Sequence, residues 1–235
     1  LAMLNWLYGY FILTESLKPE NRRPFDWRRA NPIGSLLHLR RYPIILSLVA
    51  SLVCIYIAGQ ANQSTWTYIT MAKFGWDERW VGYSLAFVGL MTGIVQGVLT
   101  RILIPKLGPR NSVFVGLSLY AVGFVLFAFA TQGWMMFVFM VPFSLGGLAG
   151  PSLQGIISNQ VPPSEQGELQ GALTSLISVT SIIGPLLMTN LFAHFTNPAS
   201  SMQFPGAPFL MGAVLSLASM LLAMRSLTKH RSSMK

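Results

Sequence analysis

Six long apolar blocks follow one another between Tyr42 and Arg225, at approximately 42–70, 80–104, 111–131, 134–158, 168–193 and 207–225. Apart from Glu168, which opens the fifth, no Asp or Glu lies inside them. A membrane span needs roughly 20 mostly apolar residues, and each block reaches or nearly reaches that length. Apolar runs this long do not alternate in the manner of strands, so the pattern predicts an all-α integral membrane protein with six spans. A shorter apolar run, Leu1–Leu13, lacks a basic leader and a small-residue cleavage site, so it does not read as a signal peptide. It is expected to be the end of a truncated membrane helix, closed by Thr14-Glu15-Ser16.

The polar segments divide the rest. Residues 14–41 form the one long connection, in which Pro19, Pro24 and Pro32 forbid a continuous helix. Trp27, with the bases around it, suits a membrane interface. The other connections are short, as between antiparallel neighbours, and Thr131-Gln132-Gly133 is the tightest. Asp77 is placed to cap the second block. Pro205 and Pro208 mark the start of the last, after which 226–235 is a polar tail.

Composition confirms the class. The chain is 52% hydrophobic and only 10% charged, against about 25% charged in soluble domains. Its net charge of +9 would suit nucleic acid if the bases were clustered on one soluble face. They are not. Lys18, Arg22, Arg23, Arg28, Arg29, Arg40 and Arg41 precede the first full block. Arg101, Lys106 and Arg110 join the second to the third, and Arg225, Lys229, Arg231 and Lys235 form the tail. Only Lys73 and Arg79 fall on the other connections. This is the positive-inside pattern, and it places 14–41, 101–110 and the C-terminus in the cytoplasm. The 159–167 loop is neutral on this test, with Glu165 and no base. The single cysteine, Cys54, excludes a disulfide within the chain and a cysteine zinc site.

Polar side chains inside the blocks are the candidate chemistry. Gln60, Gln63 and Ser64 share one helical face where the first block turns polar towards its end. Gln96 and Gln154 are lone amides, and Gln170 begins a span that carries Ser175, Ser178, Thr180 and Ser181. An amide facing lipid leaves its hydrogen bonds unmade, so these groups should face protein or a water-filled cavity. Hydroxyls often bond back to their own helix; the amides are therefore the better candidates for contacting a polar organic ligand. Gly82, Ala86, Gly89, Gly93 and Gly97 form a stripe of small residues, and Gly167, Gly171, Ser175 and Ser178 a second; both are expected to be seams of close helix packing. Pro142, Pro151 and Pro185 lie inside blocks, and Gly146-Gly147-x-x-Gly150-Pro151 and Gly184-Pro185 predict bends in the fourth and fifth helices. Enzyme chemistry has little to stand on. His38, His194 and His230 show no metal-site spacing, and no facing carboxylates or phosphate-binding loop occur.

Phe74-Gly75-Trp76 and Val81-Gly82-Tyr83-Ser84-Leu85-Ala86, Pro151-x-Leu153-Gln154-Gly155, and Gln166-Gly167-x-Leu169-Gln170-Gly171 with Ile183-Gly184-Pro185-Leu186-Leu187 keep order and spacing over most of Tyr42–Arg225. They resemble the eighth, tenth and eleventh helices of tetracycline-efflux proteins of the major facilitator superfamily. The resemblance implies a six-helix C-terminal bundle of that fold (helices seven to twelve), preceded by the end of the sixth helix and the central cytoplasmic loop. It implies a proton-coupled drug antiporter of a bacterial inner membrane, with no cofactor beyond the proton gradient. The expected partners are an amphiphilic drug, the bilayer and a missing N-terminal six-helix bundle, with no nucleic acid. Gln60, Ser64, Gln96, Gln154 and Gln170 carry over as drug-cavity residues, with Gln63 on the same face as Gln60. Arg101, Gly108 and Arg110 look like a degenerate copy of the family's cytoplasmic-loop motif, without its carboxylate. Tyr120 stands where some tetracycline exporters carry an Asp. Proton coupling is then expected from the other half. The alternative is a half-size membrane protein acting only as a structural or assembly partner.

Overall fold

The computed structural model describes residues 2–13 and 43–233, with side chains placed at 2–13 and 45–228. The expectations for the 14–41 connection, Trp27 and His38 among them, lie outside the described residues, as do those for the side chain of His230. A helix α1, Ala2–Phe11, carries no buried residue. Six helices follow: α2, Pro43–Phe74; α3, Glu78–Leu107; α4, Pro109–Phe129; α5, Gly133–Ser158; α6, Pro163–Thr196; and α7, Ala207–Ser233. All six are long and apolar enough to cross a membrane. The 226–233 part of the expected tail continues α7.

Local chemistry sets the ends. Asp77 caps α3 as expected, its Oδ1 accepting from the Trp80 amide at 2.9 Å. Gly75 and Gly108 have φ of 64° and 80°, a region open to glycine at little cost; Gly108 ends α3 and starts α4 without an intervening loop. Lys73 donates to the Ala128 carbonyl at 2.8 Å, at the C-terminal turn of α4, where a cation also meets the negative end of the helix dipole. The tight turn after α4 spans 130–132. Between Pro142 and Pro151, α5 passes through a 3₁₀ turn at Gly146–Leu148, so the expected break in this helix is present. Pro185 lies inside α6, which runs as one α-helix over Gln166–Thr196. An unforeseen irregularity lies in α3, where Val95–Leu99 forms a π-helical turn.

α2 packs most extensively on α7 and α6, α7 on α4, and α4 on α5. The core forms two clusters along the helix axes. One, around Ile45, Leu48, Leu52, Leu117, Leu153 and Leu173, lies towards the start of α2. The other, around Trp66, Ile69, Phe124, Phe127, Met136 and Phe209, lies towards its end. Close approach is set by glycines in α4, α5 and α7. A Cβ at Gly116 would meet the Ala149 amide nitrogen at 2.7 Å, one at Gly123 the Phe143 Cβ at 2.8 Å, and one at Gly212 the Phe124 ring at 2.9 Å. The glycine stripe expected to be the seam is not one within this bundle: Gly82, Gly89, Gly93 and Gly97 have open space where a Cβ would stand, and so do Gly167 and Gly171. The helices that carry them are the least covered. The apolar windows of α3 and α6 are 6% and 17% buried, against 44–50% for the other four.

Candidate functional site

The two core clusters leave a cavity between them. About 550 Å³ in volume, it is lined by Tyr56, Gly59, Gln60 and Gln63 of α2, Gln96 of α3, Tyr120 of α4, Gln154 of α5 and Thr180 and Ser181 of α6. A smaller cavity of about 220 Å³ adjoins it, shares Ile55, Gly59, Gln63, Gln96 and Tyr120 with it, and adds Asn62, Phe124, Phe143 and Ser216. Gly59, Tyr120 and Thr180 each stand near the middle of their helices. The site is therefore at mid-height of the bundle. The amides of α2, expected near the end of a span, belong here because α2 continues as helix to Phe74.

Four of the six candidate binding residues converge: Gln60, Gln63, Gln96 and Gln154 all face the larger cavity. Two do not. The Ser64 hydroxyl turns back to donate to the Gln60 carbonyl at 2.5 Å, and Gln170 is exposed nearer the start of α6. The remaining hydroxyls of α6 behave as helical hydroxyls commonly do. Ser175, Ser178, Thr180 and Ser181 bond to their own backbone at 2.8–3.0 Å. Sequence reading missed Tyr56, whose Oη accepts from Gln154 Nε2 at 2.6 Å and ties α2 to α5 across the cavity. The signal was present as the spacing Tyr56, Gly59, Gln60, Gln63, one face of a 3.6-residue helix.

The lining is polar but uncharged. No Asp, Glu, Lys or Arg among the described residues lines either cavity. The carboxamides of Gln60, Gln63 and Gln96 meet no hydrogen-bond partner among the described residues. At membrane depth such groups are costly unless water or a ligand satisfies them. Gln96 sits in the π-helical turn, a distortion that recurs at functional sites. Tyr120 stacks against α5, where a Cβ at Gly146 would meet its ring at 2.6 Å. Phe143 lies edge-on to it with centroids 5.1 Å apart. The arrangement offers donors, acceptors and aromatic surface to an uncharged face of an organic molecule.

Of the remaining residues singled out, Arg101 is exposed and the Arg110 guanidinium lies 5.9 Å from the Phe114 ring centroid. Gln166, part of the quoted motif, clamps the α5–α6 connection. It accepts from the Ser158 hydroxyl at 2.7 Å and donates to the Ser158 and Val161 carbonyls at 2.7 and 2.9 Å.

A multi-pass bundle of six membrane-length helices around a mid-height polar cavity is the architecture of a membrane carrier's solute-handling domain. The chain belongs to the Major Facilitator Superfamily, whose family model matches residues 74–235. It is 36% identical over 214 residues to the tetracycline resistance protein, class C, of Escherichia coli, covering 91% of this chain and 52% of that protein. It is 38% identical over 171 residues to the class G protein of Vibrio anguillarum, covering 73% and 42%. To the class D protein of Salmonella ordonez it is 32% identical over 217 residues, covering 91% and 53%. The chain thus spans about half the length of these relatives.

Proposed function

We propose that the chain forms the C-terminal bundle of a drug/proton antiporter of a bacterial inner membrane, and contributes one wall of its substrate cavity. The observation that carries this reading is the convergence of four uncharged amides on one mid-height cavity, three of them without a partner among the described residues. The substrate is an amphiphilic drug, with tetracycline the first to test because the relatives are named for resistance to it. α3 and α6, barely buried in this bundle, face the N-terminal bundle, and their glycine stripes supply the close approach there. Proton coupling rests with that other bundle, since no carboxylate among the described residues lines the cavity. The α3–α4 junction with Arg101, Lys106 and Arg110 lies in the cytoplasm by the positive-inside rule, together with the C-terminus.

The test is transport in inverted membrane vesicles under an imposed pH gradient. Residues 1–235 alone should accumulate no tetracycline, whereas the chain joined to the N-terminal half of the class C protein should. Accumulation by the lone chain would overturn the division of labour. An inactive but correctly folded fusion would favour the purely structural alternative.

A further inference from the structure

Gln60 holds its place on the cavity wall against an unusual neighbour. Gly184 of α6 is buried, and a Cβ built on it would collide with the Gln60 side chain, with Cγ outright and with Cβ at 2.9 Å, while Cδ at 3.5 Å is in ordinary contact. The Gln60 Cβ is fixed to the backbone of α2, and Cγ is the first atom a rotamer change can move. These are not the free end of a long side chain that could step aside. A glutamine in a helix has two χ1 wells open to it, because the third drives into the preceding turn. The Cβ contact is relieved by a shift of a few tenths of an ångström between α2 and α6, but the closer Cγ contact calls for more, a swing of about 120° to the other well. That swing takes the carboxamide off its present bearing on the wall.

The hydroxyls of α6 beside Gln60 cannot replace it as donors. Thr180 and Ser181, its cavity neighbours on α6, both spend their hydroxyl protons on the Ile177 carbonyl, at 2.8 and 2.9 Å. The Gln60 carboxamide is uncommitted among the described residues. Of the uncommitted amides of α2, Gln60 and Gln63, Gln60 is the one set against Gly184 of α6. We propose that Gly184 is a positioning residue of the cavity: the absence of a side chain there seats the Gln60 carboxamide on the wall, ready to pair with the carbonyl or hydroxyl edge of an uncharged ligand. The ligand part of this statement rests on the reading of the cavity as a drug site; the seating of Gln60 does not.

Two measurements test it on the protein at the length its gene encodes. The first is thiol accessibility in a Cys54→Ser background, with Gln60→Cys reporting from the wall by reaction with a membrane-impermeant maleimide. The introduced sulfur occupies the Cγ position, so adding Gly184→Ala should slow labelling roughly tenfold, the size of an equilibrium shift of one decade. An unchanged or faster rate overturns the proposal, and this readout needs no substrate. The second is a double-mutant cycle on tetracycline binding followed by its fluorescence. Gly184→Ala should weaken binding in the presence of Gln60 and have a much smaller effect after Gln60→Ala, which removes the clashing Cγ and leaves only the Cβ contact at 2.9 Å. Equal losses in both backgrounds would make Gly184 a packing residue and overturn the proposal. Absence of tetracycline binding in every variant would count against the drug-site reading, leaving the labelling result to decide the role of Gly184.

Discussion

Cutting the hydrogen bond between Gln154 and Tyr56 should loosen the cavity without unfolding the bundle, and its size can be worked from the structure. The bond is short, 2.6 Å, and links two half-buried groups on helices otherwise in modest contact. Interhelical hydrogen bonds between uncharged groups in membranes average about 0.6 kcal/mol and reach about 1.7. Two features push this one towards the lower figure. Both groups border about 550 Å³ of space, so water can replace the lost partner. Tyr56→Phe also retains the ring, so little packing is lost. Tyr56→Phe and Gln154→Leu should each cost about 0.6–1 kcal/mol, and the double variant about as much as either one. Unfolding in mixed micelles, titrated with sodium dodecyl sulfate and followed by tryptophan fluorescence, measures all three. The same cycle read as drug susceptibility of expressing cells should show a coupled loss of a few-fold. Additivity of the two single effects to within about 0.3 kcal/mol would refute the claim that this bond joins the helices.

Ser51 and Ser219 face each other across α2 and α7, each hydroxyl 2.9 Å from the other's carbonyl and the two oxygens 2.7 Å apart. Two protons serve three contacts, so Ser51→Ala and Ser219→Ala should each destabilise by about 0.6–1.5 kcal/mol in the same unfolding assay. Asp77→Ala should cost about 1 kcal/mol through the lost cap of α3 and Asp77→Asn much less, measured by thermal unfolding in detergent. Gly206→Ala places a methyl 2.5 Å from the Ala128 carbonyl oxygen and 2.9 Å from its Cα, and should cost about 1–3 kcal/mol with loss of monodisperse material on size-exclusion chromatography. Gly93→Ala meets nothing within 4 Å; it should leave the isolated bundle within about 0.5 kcal/mol, yet impair transport once the second bundle is present.

The spans were legible because a bilayer demands one thing of a helix, a long apolar run, and the sequence states that demand directly. The cap at Asp77 and the break in α5 were legible because each depends on a few adjacent residues. What escaped was set by contacts far apart in sequence. Block ends were read from polarity, which put Gln60 and Gln63 near a boundary. Backbone hydrogen bonding instead carries α2 on to Phe74 and brings the same amides to mid-height. The Ser51–Ser219 clasp pairs two small residues inside apolar blocks and has no local signature. The π-helical turn at Val95–Leu99 was equally silent, although it presents the one polar side chain of that turn, Gln96, to both cavities.

The misplaced glycine seam is the most instructive difference. A run such as Gly89-xxx-Gly93-xxx-Gly97 records that some backbone comes close; it does not record whose. Within the bundle that need is met by Gly116, Gly123, Gly146, Gly184 and Gly212, each against a named neighbour closer than 3.0 Å. None of these belongs to the stripe. Every stripe glycine of α3 faces open space, on a helix whose apolar window is only 6% buried. Lipid alone gives no reason for such a surface, because helix association in membranes depends on close packing and lipid tails fill a groove of glycines less well than a second helix does. The glycines that assemble this bundle and the glycines left over on α3 are therefore two populations. The leftover set is the surface that the proposed N-terminal bundle would cover.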